Sequence, residues 1–444
     1  MRGGRRARPP VLGGEQPRRL RPGRGHPVRA RRTVTAIPVS VVVVSRGRPH
    51  DLRRCLLGLS QLVYPAFEIV VVADTAGLQG VKAAGLFGAV KTVAFDTPNI
   101  STARNLGIAQ AAGEIIAFLD DDAVPEPTWL SYLIAPFDDP ALAAAGGFVR
   151  GRDGITFQFK GADLDALGRE TPFADTVTAP VIRRTGPGDG VKTEGTNCAF
   201  RADVLRAMGG FDPAFHYFND ETDVNLRLAR DGARVATVPL AQVHHGVAAS
   251  DRRTESRAPR TLFDVGASSA VLWRKHAPEA DRALVLKDLV AAHRRRLVRH
   301  MVRGGCVPGD VDRLLATLCD GWAEGETRPI AELPRIGPSK SPFLPYRPQP
   351  GFTGMEVVAG RVFRAARHRR RAEALVRSGR RVSLFLFSPT LLYHRVRFTD
   401  RGVWEQRGGL FGRADRDQPL FRIVGFRRRL AEERRRLREI RGLP

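Results

Sequence analysis

A short apolar run that ends in three successive aspartates constrains this chain more than any other stretch. Residues 115–119 have the length and composition of a buried strand, and Asp120, Asp121 and Asp122 follow directly. Neighbouring buried carboxylates repel one another, so a triplet at a strand end needs solvent or a cation to neutralise it. Mg²⁺ and Mn²⁺ prefer hard oxygen ligands of this kind. The stretch therefore predicts either a solvated acidic turn or a divalent cation site.

Segments with strand and helix character alternate around this run. Runs rich in β-branched residues at 38–45, 67–72 and 90–95 predict parallel strands, and apolar periodicity predicts helices at 51–62 and 101–112. Such alternation predicts an α/β sheet with its ligand crevice at the carboxyl ends of the strands. Ser45, Asp74 and the aspartate triplet all fall at such ends. Three polar positions on one rim favour a binding site over a chance acidic turn.

The net charge of +26 is confined to the two ends of the sequence. Residues 1–35 hold eleven arginines against one acid, residues 361–444 hold 24 arginines against eight acids, and residues 36–360 hold 37 basic and 37 acidic residues. A nucleic-acid enzyme is expected to carry its basic surface on the folded domain, so the neutral centre argues against nucleic acid. Residues 1–35 are predicted to be disordered. They either bind anionic surfaces or are translated sequence upstream of the true start.

Composition predicts five regions. They are a disordered Arg-rich tail (1–35), an α/β domain (36–275), a helical extension (276–330), a Pro-rich linker (331–352) and a small basic α+β appendage without a catalytic role (353–444). Within the extension, residues 284–302 interleave Leu and Val with Arg, which predicts either a helix on an anionic membrane or a solvated face over core leucines. Four scattered cysteines, no long apolar run and no secretory signal predict a cytoplasmic protein, either free or peripheral at the inner face of the cell membrane.

Residues 37–275 resemble the bacterial family-2 glycosyltransferases, whose motifs occur here in the same order. The matching stretches are VSVVVVSRGR (39–48), FEIVVVADT (67–75), NISTARNLG (99–107), FLDDD (118–122), GTN (195–197), GFD (210–212) and NDE (219–221). The resemblance implies a GT-A nucleotide-diphospho-sugar transferase fold with a Rossmann-like mixed sheet. It also implies an EC 2.4 enzyme of polysaccharide or cell-envelope biosynthesis that moves a sugar, with inversion, from a nucleotide sugar to a glycan or lipid-linked acceptor.

The same resemblance implies a set of site residues. The donor would be bound by Ser45, Asp74, Arg104, Asp120 and Asp121. Asp120 and Asp122 would hold Mn²⁺ or Mg²⁺ together with a late histidine, His244 or His245, of which His245 is the prediction. Gly195, Thr196 and Asn197 would face the acceptor. Glu221 would be the catalytic base, with Asp220 as the alternative because the order of the acidic pair is inverted relative to the family.

Each of these residues also has a structural interpretation. Asp74 either reads the nucleotide base or caps the following helix, and Asp220 and Glu221 suit a helix N-terminus in either case. Two rival functions remain. One is a basic adaptor on membrane or nucleic acid that uses a degenerate transferase scaffold. The other is a sugar nucleotidyltransferase. Such enzymes usually have a Gly-rich phosphate-binding loop after the first strand, and SRGRP (45–49) matches such a loop poorly, which argues against this function.

Overall fold

The structure is a computed structural model that describes residues 36–173, 178–246, 251–254, 256–349 and 351–444. The predicted disordered tail, 1–35, lies outside the described residues. The strands are β1 (Val39–Ser45), β2 (Phe67–Ala73), β3 (Lys91–Ala94), β4 (Ile115–Asp120), β5 (Ala123–Pro125), β6 (Leu142–Arg150), β7 (Phe157–Phe159), β8 (Ala162–Leu164), β9 (Glu170–Pro172), β10 (Val181–Arg184), β11 (Gly190–Val191), β12 (Cys198–Arg201), β13 (Arg234–His245), β14 (Thr353–Arg361), β15 (Arg380–Ser388), β16 (Arg395–Phe398) and β17 (Val403–Gly409). The helices are α1 (Pro49–Leu59), α2 (Thr75–Ala83), α3 (Ile100–Gln110), α4 (Trp129–Ile134), α5 (Ala202–Ala207), α6 (Asp220–Arg230), α7 (Phe263–His276), α8 (Arg282–Val302), α9 (Pro308–Thr327), α10 (Ala365–Arg377) and α11 (Phe426–Arg441).

A mixed sheet forms the centre of the α/β domain. Its order is β10-β13-β6-β12-β4-β1-β2-β3, with β5 added to β13 and β7 added to β6. Strands β4, β1, β2 and β3 run parallel, whereas β12 is antiparallel to both β4 and β6. The predicted Rossmann-like mixed α/β sheet is therefore confirmed.

The sheet is buried on both faces because helices cover both. Val41 and Val43 face the core that α1 closes, and Val42 between them faces the core under α3. A β-carbon on Gly107 of α3 would lie 2.4 Å from Val42 Cγ1, so glycine lets this helix pack directly on β1. Burial on both faces is why the strand sequences are continuously apolar rather than alternating.

The strand register brings the polar strand ends together. Ser45 lies opposite Ala73, the residue before Asp74, and Val44 lies opposite Asp120. Parallel strands that end at the same level present their following residues on one rim of the sheet. The predicted crevice therefore has its residues on a single edge.

The strand that ends in the two histidines, β13, is long and irregular: its pairing with β6 shifts between Val238 and Gln242. One feature of the α/β domain differs from the sequence prediction. The strand β12 was not predicted, although it occupies the middle of the sheet. Its four residues are too short for a recognisable period.

The C-terminal module (353–444) has a sheet of its own, ordered β14-β15-β17-β16, with α10 and α11 packed on it. It is attached to the α/β domain by hydrogen bonds from Gln61 Nε2 to the carbonyl of Gly402 (2.8 Å) and from Arg381 Nη2 to the carbonyl of Leu62 (2.9 Å). The predicted Pro-rich linker also packs against that domain, since Tyr346 is buried and stacks near Phe67. Among the described residues, no helix combines the length and apolarity needed to cross a membrane.

Candidate active site

The three aspartates after β4 lie in different surroundings. The Asp120 side chain is 26% exposed, whereas those of Asp121 and Asp122 are 0% and 1% exposed. Burial raises the pKa of Asp121 to about 8, against the opposing effects of Arg48 and the Ser45 hydroxyl. The triplet is therefore a buried acidic cluster rather than the solvated turn that remained open from the sequence.

Arg48 is the cation that the sequence analysis missed. Its guanidinium lies 2.8 Å from Asp121 and 3.2 Å from Asp122. It belongs to the loop after β1, on the same rim as the aspartates, so its position at a strand end was the available signal. A partly buried cation at this place compensates part of the negative charge of the triplet.

Asp120, Asp122 and His245 come together as a cluster that could hold a metal ion, since one potential ligand atom from each lies within 4.8 Å of the others. His245 Nε2 is 3.1 Å from Asp122 Oδ1, and its Nδ1 is 3.2 Å from Gln158 Oε1. Two carboxylates with one imidazole suit Mn²⁺, while Mg²⁺ prefers oxygen ligands throughout. The residues present therefore fit a divalent cation.

The two histidines at the end of β13 point in opposite directions, as successive strand residues do. His245 faces the aspartates, and His244 Nε2 instead lies 2.8 Å from Glu126 Oε1. Of the two histidines, His245 is therefore the one that lies beside the aspartates. His244 belongs to a separate buried ion-pair cluster.

A cavity of about 220 Å³ opens on the rim beside the aspartates, lined among others by Ser45, Gly47, Arg48, Asn99 and Arg253. Asp74 lies next to the loop that lines this cavity, and both of its carboxylate oxygens accept hydrogen bonds from backbone amides. Its Oδ1 accepts from the amide of Gly77 (2.8 Å) and its Oδ2 from the amide of Gly47 (2.7 Å). Asp74 therefore caps α2 and fixes the loop that lines the cavity, which is the structural interpretation of this residue.

Arg104 links the metal cluster to the acidic start of α6. Its guanidinium pairs with Asp220, lies 3.3 Å from Asp120 Oδ1 and donates to the carbonyl of Gly195 (3.3 Å). The side chain is 3% exposed and covers the Phe211 ring at 5.0 Å. Arg104 thus holds Asp120 and Asp220 in position from inside the fold. Little of its side chain is exposed for direct contact with a donor substrate.

Asp220 and Glu221 have different partners and different acidities. Burial raises the pKa of Asp220 to about 7, although Arg104 acts against it. Burial also acts on Glu221, but Lys192, whose Nζ lies 2.6 Å from Glu221 Oε1, lowers its pKa to about 2. The Glu221 side chain is 16% exposed and that of Asp220 is 4% exposed. The greater exposure of its side chain therefore favours Glu221 as the catalytic base, whereas the higher pKa favours Asp220.

The backbone before this acidic pair is held in an unusual conformation. Phe218 and Asn219 have φ values of 71° and 62°, in the left-handed region that only glycine adopts without cost. Such conformations persist where the surrounding fold enforces them, and they concentrate at functional sites. The strain sets the direction in which the first turn of α6 presents its acids.

All three of the predicted acceptor residues, 195–197, are buried. A β-carbon on Gly195 would lie 2.6 Å from Arg104 Nη2, so this glycine permits the close approach of the arginine. Asn197 is completely buried, accepts from Trp129 Nε1 (2.7 Å) and donates to the carbonyls of Phe148 and Ala241. The Asn197 amide is thus used inside the fold, and Thr196 is also buried.

Glu194 and Lys192 are further polar residues that the sequence analysis did not select. Burial raises the pKa of Glu194 to about 7, with Lys192 opposing and Glu221 adding to the shift. Lys192 is itself 4% exposed and pairs with Glu221. These residues place additional ionisable groups behind the acidic start of α6, and only their nearness to the GTN stretch could have indicated them.

A second cavity, of about 550 Å³, separates the metal cluster from the C-terminal module. Asp122 and His245 line one side, and Arg397, Phe398 and Glu405 line the other. Glu405 is buried between Arg369 (2.6 Å) and Arg397 (3.0 Å). The module predicted as a passive appendage therefore forms a wall of the space next to the metal cluster.

Comparison with known sequences identifies the central domain. The profile described as Glycosyl transferase family 2 matches residues 40–209. The chain carries a family 2 glycosyl transferase domain. The predicted family, the GT-A type of fold and the assignment to the glycosyltransferase class are confirmed at the level of this domain.

Curated relatives agree with this assignment. The pre-mycofactocin glycosyltransferase of Mycobacterium tuberculosis is 28% identical over 259 residues, covering 56% of this chain and 50% of the relative. The O-antigen biosynthesis protein RfbC of Myxococcus xanthus is 28% identical over 237 residues, 50% of this chain and 18% of the relative. The glucosyl-dolichyl phosphate glucuronosyltransferase of Haloferax volcanii is 26% identical over 227 residues, 47% and 68% respectively. The match covers about half the length of the pre-mycofactocin glycosyltransferase and 18% of the length of RfbC.

Solved structures with a similar arrangement include two complexes. One is the mannosyltransferase PcManGT from Pyrobaculum calidifontis with GDP-Man and Mn²⁺, with a TM-score of 0.41 and 16% identity over 67% of this chain and 77% of that one. The other is GalNAc-T7 with UDP, GalNAc and Mn²⁺, with a TM-score of 0.41 and 17% identity over 55% of this chain and 49% of that one.

Proposed function

We propose that the protein is a metal-dependent, inverting glycosyltransferase. It transfers a sugar from a nucleotide-activated donor to a hydroxyl group of a glycan or lipid-linked acceptor. The observation that carries the proposal is the convergence of Asp120, Asp122 and His245 next to Arg48, which lines the rim cavity and lies 3.2 Å from Asp122. A nucleoside-diphosphate donor needs a cavity for its nucleoside and, beside that cavity, ligands for the cation that accompanies its diphosphate.

In this proposal the acids after β4 hold the cation that neutralises charge on the departing diphosphate. Arg48 and Arg104 hold Asp122 and Asp120 in place from opposite sides. Arg48 also keeps the loop after β1 next to the cation site, where a diphosphate would lie. Since Mn²⁺ accepts an imidazole ligand more readily than Mg²⁺ does, Mn²⁺ is the proposed cofactor.

Glu221 is proposed to remove the proton from the acceptor hydroxyl, because it is the more exposed acid of the pair. A carboxylate that takes this proton makes the hydroxyl a better nucleophile. The side chain of Asp220 is only 4% exposed, so we propose that it does not attack the sugar to form a covalent glycosyl intermediate. Direct attack of the acceptor on the sugar follows, and a single displacement inverts the anomeric centre.

The acceptor class is proposed from the relatives. One of them acts on a glucosyl-dolichyl phosphate and another belongs to O-antigen biosynthesis, by their names. Both names are compatible with a lipid-linked or glycan acceptor for this chain. The cavity of about 550 Å³ that Asp122 shares with the C-terminal module is the proposed space for it.

Calorimetric titration of the full chain with UDP, GDP, ADP, CDP and dTDP tests the proposal, with Mn²⁺ and then with EDTA. We expect one nucleotide to bind in the presence of Mn²⁺ and to lose affinity when the metal is chelated. Release of free sugar from the matching nucleotide sugar would report the activated donor without knowledge of the acceptor. An adaptor on a degenerate scaffold would bind none of the five, and that result would overturn the proposal.

A further inference from the structure

Two neighbouring loops of the C-terminal module expose large apolar side chains at their tips. The first loop exposes Leu391, Leu392 and Tyr393, and the second exposes Leu420, Phe421 and Ile423. Each of the six is more than half exposed, and Ile423 is 91% exposed. Single exposed leucines are ordinary on protein surfaces, but six large apolar residues on two adjacent loops are an interaction surface.

Hydrogen bonds hold the two loops together. The amide of Gly409 donates to the carbonyl of Leu392 (2.8 Å), and the amide of Arg422 donates to the carbonyl of Phe411 (3.2 Å). Both loops are thus fixed to the same segment, 409–413. A β-carbon on Gly412 would lie 2.0 Å from the carbonyl oxygen of Leu392, so glycine is needed for this approach. The apolar tips therefore belong to an ordered double loop (390–394 with 419–423).

Positive charge surrounds the double loop. Arg395 and Arg407 lie directly opposite each other on β16 and β17, and both are exposed. Like charges in this position destabilise a sheet unless an anion lies over them. The Arg413 guanidinium lies 5.8 Å from the Tyr393 ring centre. Asp415 and Asp417 are also nearby in sequence, whereas residues 361–444 as a whole contain 24 arginines against eight acids.

We propose that the double loop is the site at which the protein docks on an anionic lipid bilayer. The leucines, Phe421 and Ile423 enter the boundary between headgroups and acyl chains, Tyr393 lies at the headgroup level, and Arg395 and Arg407 bind lipid phosphates. Apolar side chains that protrude from loop tips suit a bilayer, whereas a protein partner is usually met by a flatter, packed face. Anionic lipids attract basic residues that lie near the membrane surface.

Docking in this way would place the active site close to the membrane. Strand β16 runs from Arg395, beside the double loop, to Phe398, which lines the cavity next to Asp122 and His245. At about 3.3 Å per residue, this strand spans only about 13 Å. The docking proposal itself is independent of the glycosyl transfer proposed above, since it concerns binding of the protein to lipid alone.

The test is sedimentation of the full chain with vesicles, compared between pure phosphatidylcholine and an equimolar mixture with phosphatidylglycerol. The patch variant carries Leu392→Glu, Phe421→Glu and Ile423→Glu. Its matched control carries the same change at three scattered exposed positions, Val63, Phe87 and Val307. We expect the patch variant to lose at least about tenfold in affinity for the mixed vesicles, because three apolar side chains no longer enter the bilayer, and the control to bind like the unchanged protein.

A second variant separates the charge from the apolar contact. Arg395→Gln together with Arg407→Gln should weaken binding to the mixed vesicles at least about tenfold and leave the weaker binding to pure phosphatidylcholine unchanged. Thermal unfolding of all variants checks that they are folded. Equal binding of the patch variant and its control, or no binding of the unchanged protein to the mixed vesicles, would overturn the proposal. Dimers in sedimentation velocity that dissociate in the patch variant would overturn it in favour of a second copy of the chain.

Discussion

Arg441 of α11 forms a completely buried, two-point ion pair with Glu126, which lies just after β5. The distances are 2.7 Å from Nε to Oε2 and 2.5 Å from Nη2 to Oε1, and both side chains are 0% exposed. Glu126 also contacts His244, the neighbour of His245. The C-terminal module is therefore joined by buried charges to the strands that present the candidate metal ligands.

This pair predicts a specific acid sensitivity. Burial opposes ionisation of Glu126, but Arg441 and His244 lower its pKa to about 2 from an ordinary value of 4.5. Because the folded-state pKa is the lower one, the stabilisation is present above about pH 4.5 and is lost as the pH falls towards 2. It is of the order of 3 kcal/mol. The double variant Glu126→Gln with Arg441→Met should lose less stability than the unchanged protein between about pH 5 and about pH 3.

Thermal unfolding across that pH range measures the difference. The exposed neighbours Arg438 and Glu439 supply the control, in which Arg438→Met with Glu439→Gln should follow the unchanged protein. Arg441→Met alone leaves a buried carboxylate without its partner and should cost about 3–5 kcal/mol at neutral pH. Parallel pH curves for the double variant and the unchanged protein would show that the pair does not carry the acid sensitivity.

Asp122→Asn tests the cation site. The change keeps the shape of the side chain and removes one charged ligand, so Mn²⁺ and a nucleoside diphosphate supplied with it should bind about tenfold or more weakly. Without metal the variant should be less stable than the unchanged protein, because Arg48 and His245 lose a buried partner, and the reduced repulsion within the aspartate triplet offsets only part of that loss. Asp96→Asn, at an exposed aspartate of the same rim, is the control. Equal Mn²⁺ affinity for both variants, measured by calorimetry, would remove Asp122 from the site.

Glu221→Gln and Asp220→Asn decide which acid is the base. If Glu221 accepts the proton, Glu221→Gln should lower single-turnover transfer by about 10²–10⁴-fold and leave donor binding intact. Asp220→Asn should mainly lower stability, because Arg104 loses a buried partner. The opposite pattern, with Asp220→Asn folded but inactive and Glu221→Gln active, would exchange the two roles.

The pH dependence of transfer gives an independent answer. A base with the pKa of Glu221, about 2, is already ionised at about pH 4, so kcat/KM at saturating Mn²⁺ should be flat from about pH 8 down to that value. A base with the pKa of Asp220, about 7, would instead lose activity about tenfold per pH unit below 7. Although burial opposes it, Asp122 raises the pKa of His245, and protonation of this candidate ligand would also lower activity by releasing Mn²⁺. A profile that falls from pH 7 while direct titration shows Mn²⁺ still bound would therefore contradict the assignment to Glu221.

Gly195→Ala tests the packing behind the site. The new methyl group would lie 2.6 Å from Arg104 Nη2, and the guanidinium is held by Asp220 and cannot yield freely. Such overpacking typically costs about 1–3 kcal/mol, and we expect slower transfer as Arg104 leaves Asp120. Gly186→Ala introduces a methyl group with nothing within 4 Å and is the control. Indistinguishable denaturant unfolding of the two variants would show that Arg104 tolerates the added group.

Local sequence pattern was sufficient for much of the fold and for the positions on the rim. An acidic N-terminus followed by an apolar period is a local signal, and it predicts a helix over residues 220–230, which is α6. In the C-terminal module the Arg-rich residues 426–441 likewise predict a helix, which is α11, but β14 and α10 carry no comparable local signal. The buried face of α10 has only Ala372 and Val376 among many arginines, which is too little apolar surface for a period to be recognised.

Side-chain partners could not be predicted in the same way, since they depend on contacts between distant parts of the chain. Arg48 pairs with Asp121 across 73 residues of sequence, and Arg441 pairs with Glu126 across 315. Asp74 illustrates the same limit. Its position at a strand end and a capping role were visible, but the hydrogen bond that it accepts from the amide of Gly47 depends on where the loop after β1 folds.

The pairing of β13 with β5 has a consequence for how this sequence can change over time. His244 lies opposite Val124 and His245 opposite Ala123. The two histidines therefore project from opposite faces of one strand, His244 towards the ion pair of Glu126 and Arg441 and His245 towards Asp120 and Asp122. Inserting or deleting a single residue within β13 would exchange the two faces and harm both clusters at once. Point substitutions can accumulate along β13, but length changes should be confined to the loops that flank it.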